Sequence, residues 1–291
     1  MELSIAFITR NRKKELTRAI ESCMMDLPSS FEIIIVDNGS TDDTRETIEK
    51  ILSGVCEYKY IYSSKNLGVA GARNEAFKNA SGEYVFFLDD DAIIASKDFW
   101  NQLLLYMKNN TEIVAASVDI QEPENGTDLN CNYNYKTRGI TQIPYFCGCA
   151  HIMRSSFYKQ FNRLYPPNLM FGSEEFYPSN LAWKYHYLVA EMPDLRVEHY
   201  PSTVNRHAGK DRDIDLIINQ YIIKRLNYPL CVQPLVWMFY QMHIVKNGFR
   251  GKEWEEIITE KIRERYSDDD VSRMSFLTWL GIIKKFGVSM I

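Results

Sequence analysis

The chain has 291 residues, enough for a substantial core in one large domain or two small ones. With 45% hydrophobic and 25% charged residues and a net charge of −4, it has the balance of an ordinary soluble protein and lacks the basic excess that nucleic acid requires. The six cysteines (Cys23, Cys56, Cys131, Cys147, Cys149, Cys231) follow no repeated pair spacing, so reduced thiols are expected rather than a zinc site or disulfide framework.

In chain order, a strand–loop–helix pattern recurs through the first hundred residues. Residues 3–8 are apolar and stop at Thr9-Arg10-Asn11-Arg12, after which Leu16, Ala19, Ile20 and Cys23 have helical spacing within 15–25. Residues 31–36 form a second apolar run, ending at Asp37-Asn38-Gly39-Ser40-Thr41 before a helix over 43–52. A third strand over 58–62 leads through Asn66, Gly68, Gly71, Arg73 and Asn74 into a helix ending near 79. The run over 84–94 begins as a buried strand and meets Asp89-Asp90-Asp91. Such units predict an α/β protein with a mostly parallel sheet, helices on both faces, and polar loops gathered at the carboxyl edge of the strands.

Further on, 99–107 reads as a helix, 113–119 as a strand, 121–134 as a polar excursion, 146–153 as a strand lining the cleft, and 195–198 as a strand end before His199. From about residue 201, helical patterns at 213–226, 234–246, 253–265 and 272–285 read as a C-terminal extension. The amino end carries neither a basic segment nor an apolar stretch long enough for a signal peptide. The longest uncharged run, between Arg225 and Lys246, contains Pro229, Gln233, Pro234, Gln241 and His243, which argues against a membrane span. A cytoplasmic protein is expected.

Three adjacent carboxylates repel one another unless a cation or protons neutralise them, and hard oxygen donors favour Mg or Mn, with a phosphate as cargo. Asp37 suits the imide N–H of uracil or thymine, although taken alone the stretch reads better as an Asx turn followed by a helix cap. Gly68, Gly71, Arg73 and Asn74 at a helix start suit a phosphate or ribose. No GxxxxGK[ST] or GxGxxG is present, against a P-loop NTPase or a dinucleotide oxidoreductase. Glu174-Glu175 can divide the work of a base and its orienting partner, or simply open a helix capped by Ser173. His199 is positioned to reach a cation held by Asp91, or is structural.

In combination, Phe7-Ile8-Thr9 with Asn11-Arg12, Val36 through Asp43, Asn66-x-Gly68-x-x-Gly71-x-Arg73-Asn74 and Phe87-Leu88-Asp89-Asp90-Asp91 resemble the inverting family-2 glycosyltransferases of the GT-A fold, especially bacterial rhamnosyltransferase-like members. The resemblance covers roughly the first two hundred residues. It implies a GT-A catalytic domain over 1–205, with a nucleotide-binding half (1–115) and an acceptor half (116–205), followed by a helical extension over 206–291. It also implies a UDP- or dTDP-linked sugar donor, with Thr9, Asp37 and Arg73 on the nucleoside and Asn66 and Gly68 nearby; Asn11, Asn38 and Asp90 belong to the same motifs. Asp89 and Asp91 stand for the family's DxD motif. Asp91 is then the direct ligand of Mn or Mg, and His199 a further one.

The same resemblance makes Glu175 the base, Glu174 its partner, and a hydroxyl of a glycan or lipid-linked glycan the acceptor. The products would serve surface polysaccharides made at the inner face of the membrane. Glu stands where the family usually has Asp, and Pro178 is expected to break the helix that commonly starts at the pair. Trp237, Phe239, Tyr240, Trp279 and Phe286, with Lys284 and Lys285, form either a membrane-contacting surface or packing against the core or a second subunit of a homodimer. The alternatives in other classes are a sugar-nucleotide nucleotidyltransferase and a catalytically silent nucleotide- or carbohydrate-binding protein.

Overall fold

The computed structural model describes residues 1–130, 134–137, 139–204 and 209–287. Its strands are β1 (Leu3–Thr9), β2 (Phe31–Asp37), β3 (Tyr58–Tyr62), β4 (Tyr84–Leu88), β5 (Ala92–Ile94), β6 (Ile113–Glu122), β7 (Thr127–Asp128), β8 (Tyr135–Thr137), β9 (Ile140–Gln142), β10 (Ala150–Arg154) and β11 (Leu188–His199). The helices are α1 (Lys13–Cys23), α2 (Thr44–Leu52), α3 (Gly68–Asn79), α4 (Phe99–Asn109), α5 (Ser155–Tyr158), α6 (Phe176–Lys184), α7 (Gly209–Asn227), α8 (Gln233–Lys246), α9 (Lys252–Arg265) and α10 (Phe276–Phe286).

The sheet runs β3-β2-β1-β4-β10-β6-β11-β9-β8. Strands β1 to β4 are mutually parallel, β10 lies antiparallel between β4 and β6, and β11 runs parallel to β6. These directions bring the carboxyl ends of β1, β2, β4, β6 and β11 to one edge. Thr9, Asp37, Asp89, Glu122 and His199 all stand there.

Alternation along the strands splits the core into two layers. Leu3, Ile5, Phe7, Ile33, Ile35, Tyr84 and Phe86 pack with α1, α2 and α4 through Leu16, Ile20, Ile48, Trp100 and Leu103. On the other face Ala6, Ile34, Val36, Val85 and Phe87 meet Ala72, Ala76 and Phe77 of α3. That second layer also takes in Ile214, Ile218 and Ile222 of α7, Tyr240 of α8 and Trp279 and Phe286 of α10. Burial of Tyr240, Trp279 and Phe286 decides in favour of core packing for these three aromatics and removes them from any membrane surface. The proposed boundary at 205/206 falls outside the described residues.

Three local expectations change. The strand expected over 146–153 begins only at Ala150; ahead of it the Cys149 carbonyl still accepts from the Asp89 amide at the end of β4 (2.8 Å), while the Gly148 carbonyl is turned to Arg73 (2.8 Å). Pro178 does not break its helix. It sits in the first turn of α6, where its missing N–H would have had no intrahelical partner. The polar stretch over 121–134 is partly ordered as a hairpin, with β7 pairing β6 and the Asn130 side chain accepting from the Ile120 amide; Cys131 to Tyr133 lie outside the described residues.

Candidate active site

A cavity of about 770 Å³ opens over the carboxyl edge of the sheet. Its wall includes Thr9, Asn38, Asn66, Gly68, Arg73, the three aspartates, Glu174, Glu175 and His199. Asp37 and Asn11 are not on it. Both oxygens of Asp37 are taken, one by the Ser40 amide (2.7 Å) and one by the Tyr60 hydroxyl (2.6 Å), and the residue is 1% exposed. Asn11, at φ +53°, accepts from the Thr41 amide (2.7 Å) and so ties the loop after β1 to the loop after β2.

The loop after β3 is built by its polar residues. Asn38 donates to the Gly68 carbonyl (3.2 Å) and accepts from the Leu67 amide (3.2 Å), while Asn66 accepts from the Gly68 amide (3.0 Å). Gly68 has φ +68°, and a Cβ there would lie 2.8 Å from the Met170 Cα. Only glycine lets α3 begin against the 170 loop.

The aspartates have separate partners. Asp90 accepts from Thr9 Oγ1 (2.8 Å) and Arg12 Nη1 (2.8 Å); burial, reinforced by the charge of Asp91, outweighs Arg12 and pushes its carboxyl up to about 7. Asp91 accepts from the Ser202 amide (2.9 Å) and faces His199 Nε2 at 3.2 Å. Burial alone would raise Asp91, yet the bond and charge of His199, with Ser202 and Arg12, hold it below the usual carboxylate range. Asp89 is raised by burial and by Asp91, against the pull of Arg73.

Arg73 is 3% exposed and joins the two acidic groups. Its Nη2 reaches Asp89 (3.1 Å) and the Gly148 carbonyl, and its Nη1 reaches Glu174 (2.7 Å). The other oxygen of Glu174 is buried without a partner. Glu175, next in the chain and half-buried, is pushed up to about 8 by burial and by the charge of Glu174.

The residues fit a divalent cation. One ligand atom each from Asp89, Cys149 and His199 lie within 4.8 Å of one another, and Asp91 lies 3.2 Å from His199 Nε2. His199 Nδ1 lies 2.9 Å from Glu122, a carboxylate–histidine arrangement that orients the ring so that its other nitrogen faces Asp91. Burial would lower His199, but the bonds and charges of Asp91, Asp89 and Glu122 raise it to about 9. Carboxylate and imidazole donors suit Mn, and a carboxylate pair suits Mg as well.

Several wall residues escaped sequence reasoning. Glu122 stands at the carboxyl end of β6, where the strand-edge rule should have found it. Arg12, read from sequence only as part of the motif after β1 and given no role there, braces Asp90 and Asp91. Arg212, Lys261 and Arg265 enter from α7 and α9, and nothing local in the sequence points them at this edge. The Arg212 guanidinium lies 5.4 Å from the Phe171 ring, and Lys261 and Arg265 both bind Asp215.

The sequence model of glycosyl transferase family 2 matches residues 4–161, over half of the chain. A stretch of 103 residues is 40% identical to Escherichia coli WfaP, a UDP-Glc:alpha-D-GlcNAc-diphosphoundecaprenol beta-1,3-glucosyltransferase, covering 34% of this chain and 37% of that protein. Another match, 33% identical over 108 residues, is to an uncharacterized glycosyltransferase of Haemophilus influenzae, covering 37% of this chain and 43% of that protein. The match spans under half the length of either relative. Among solved structures, the mannosyltransferase PcManGT from Pyrobaculum calidifontis, in complex with GDP-Man and Mn2+, aligns with TM-score 0.63 at 15% identity, over 98% of this chain and 84% of that one, a likeness of fold. By its family match and its acid-lined sheet edge, this chain belongs to glycosyl transferase family 2 and carries the GT-A fold.

Proposed function

We propose that the protein moves a sugar from a UDP- or dTDP-linked donor to a hydroxyl of a lipid-linked glycan, with inversion at the anomeric carbon, in the making of a surface polysaccharide. The observation that carries this reading is one cavity lined by Asp89, Asp91, His199, Glu174 and Glu175, in which Arg73 bridges Asp89 to Glu174. A donor diphosphate belongs with the first group and an acceptor hydroxyl with the second. The lipid-linked acceptor and the uridine donor draw support from WfaP, which is named for both.

Thr9, Asn38, Asn66 and Gly68 would shape the donor pocket, with Asp37 and Asn11 holding its loops in place. Asp89, Asp91 and His199 would hold Mn or Mg, which supplies positive charge to the departing diphosphate. Glu175 takes the proton from the acceptor hydroxyl as that oxygen attacks the anomeric carbon. The bond from that carbon to the diphosphate oxygen breaks, and its electron pair leaves with the nucleoside diphosphate. Arg73 keeps Glu174 fixed, so the negative field that raises Glu175 stays in place.

A thermal-shift comparison of UDP, dTDP and GDP, with and without Mn, tests the donor half. The expected result is stabilisation by UDP or dTDP that grows with Mn, about 3 kcal/mol at a hundredfold excess over Kd. For the acceptor half, Glu175→Gln should keep nucleotide binding while transfer falls about a hundredfold or more. Absence of a shift with any nucleoside diphosphate overturns the donor assignment; full transfer by Glu175→Gln overturns the base.

A further inference from the structure

Helix α8 is apolar on both sides. Its inner face, Val236, Tyr240 and Ile244, is buried, with the Tyr240 ring stacked on Tyr221 of α7 at 4.1 Å. The outer face is where solvent-exposed helices normally carry charge. Here it carries Leu235, Met238, Met242 and Val245 at spacings of three, four and three, with Trp237 at its edge (55% exposed) and Leu230 just before the helix (69% exposed). Exposed apolar groups scattered singly need no explanation, whereas a continuous ridge marks an interaction surface.

Charge around the ridge selects its occupant. Between Leu216 and Lys252 the sequence has no Asp or Glu and five cations, Lys224, Arg225, Lys246, Arg250 and Lys252, in a chain whose net charge is −4. The last three are exposed where the helix ends. Helix α8 itself has no carboxylate, and exposed Glu253, Glu255 and Glu256 lie beyond Lys252 in α9; an apolar ridge with Met and Trp that ends in cations suits the interface of an anionic bilayer. No helix among the described residues is long and apolar enough to cross a membrane, so this surface would lie on the bilayer rather than span it.

We propose that the outer face of α8, with Lys246, Arg250 and Lys252, docks the protein onto an anionic lipid surface. The surface differs from the aromatic set read from sequence, of which only Trp237 belongs to it. The inference stands on the helix face alone and does not rest on the sugar-transfer reading.

Flotation of the full chain with phosphatidylglycerol-containing vesicles, beside pure phosphatidylcholine vesicles, tests it. Binding to the anionic vesicles is expected, weakened by high salt, and lowered about fivefold for each cation removed in Lys246→Gln and Arg250→Gln. Trp237→Glu with Met238→Glu should abolish flotation while the ligand-free chain keeps a cooperative thermal transition at the parent Tm, a control that separates lost docking from lost folding. No flotation with anionic vesicles, or flotation unchanged by the double substitution, overturns the proposal. So does sedimentation of the parent as a dimer that the double substitution converts to monomer without lipid, since the ridge would then be an interface between two copies.

Discussion

At the scale of the residue, Glu174 and Glu175 are adjacent in sequence and opposite in circumstance. Glu174 spends an oxygen on Arg73, and its charge, added to burial, lifts Glu175 to about 8. A base must be unprotonated to work. With Glu175 as the proposed base, activity is expected to rise with pH through about 8 and flatten above it, seen as kcat/KM against pH. In Glu174→Gln the neighbouring negative charge is gone, so that rise should move to lower pH while transfer persists. Loss of all transfer in Glu174→Gln, with Glu175→Gln active, would exchange the two roles.

The acids themselves were legible because each stands beside a pattern that single residues can signal: an apolar strand ending in aspartates, or a paired Glu in a polar loop. Their partners were not. Arg73 reads as a helix-start cation for a phosphate, whereas its main partner lies 101 residues further on. Such distant ion pairs leave no local trace.

At the scale of the element, β1, β2 and β4 were legible because strands buried on both faces become nearly continuous apolar runs, while the edge strand β3 showed through its tyrosines; each stops at a polar loop. Strand β11 was seen only at its end. It shifts register between Met192 and Arg196, around Pro193 and Asp194, and that irregularity erases the periodicity a long strand would otherwise have. The antiparallel insertion of β10 between β4 and β6 was invisible for a different reason: pairing order is decided by tertiary packing. The start of α3 offers a direct test. Gly68→Ala would hold a non-glycine residue at φ +68° and drive its Cβ against the Met170 backbone. A loss of about 2 kcal/mol is expected, read as a fall in Tm of about 5 °C, together with weaker nucleoside diphosphate binding. An unchanged Tm would mean that the 170 loop yields freely.

At the scale of the whole molecule, the C-terminal helices brace the site as well as adding to the fold. Asn219 of α7 donates to the carbonyls of Phe171 and Gly172 (2.8 and 2.9 Å), in the loop that delivers Glu174 and Glu175. Arg265 of α9 binds Asn219 and Asp215, and the Tyr177 hydroxyl of α6 donates to the Asp270 carbonyl (2.8 Å). The apolar residues of α7, α8 and α10 fill the same core layer as α3 and the sheet. A chain ending at residue 204 would therefore expose Leu181, Trp183 and the α3 side of that layer, and would release the loop that carries Glu174 and Glu175. Such a truncation is expected to aggregate, or to bind a hydrophobic dye without a cooperative thermal transition. If residues 1–204 instead unfold cooperatively and bind UDP with Mn as tightly as the full chain, the sheet needs no cover from the helices, and their contacts to the 171–172 loop contribute nothing to the donor site.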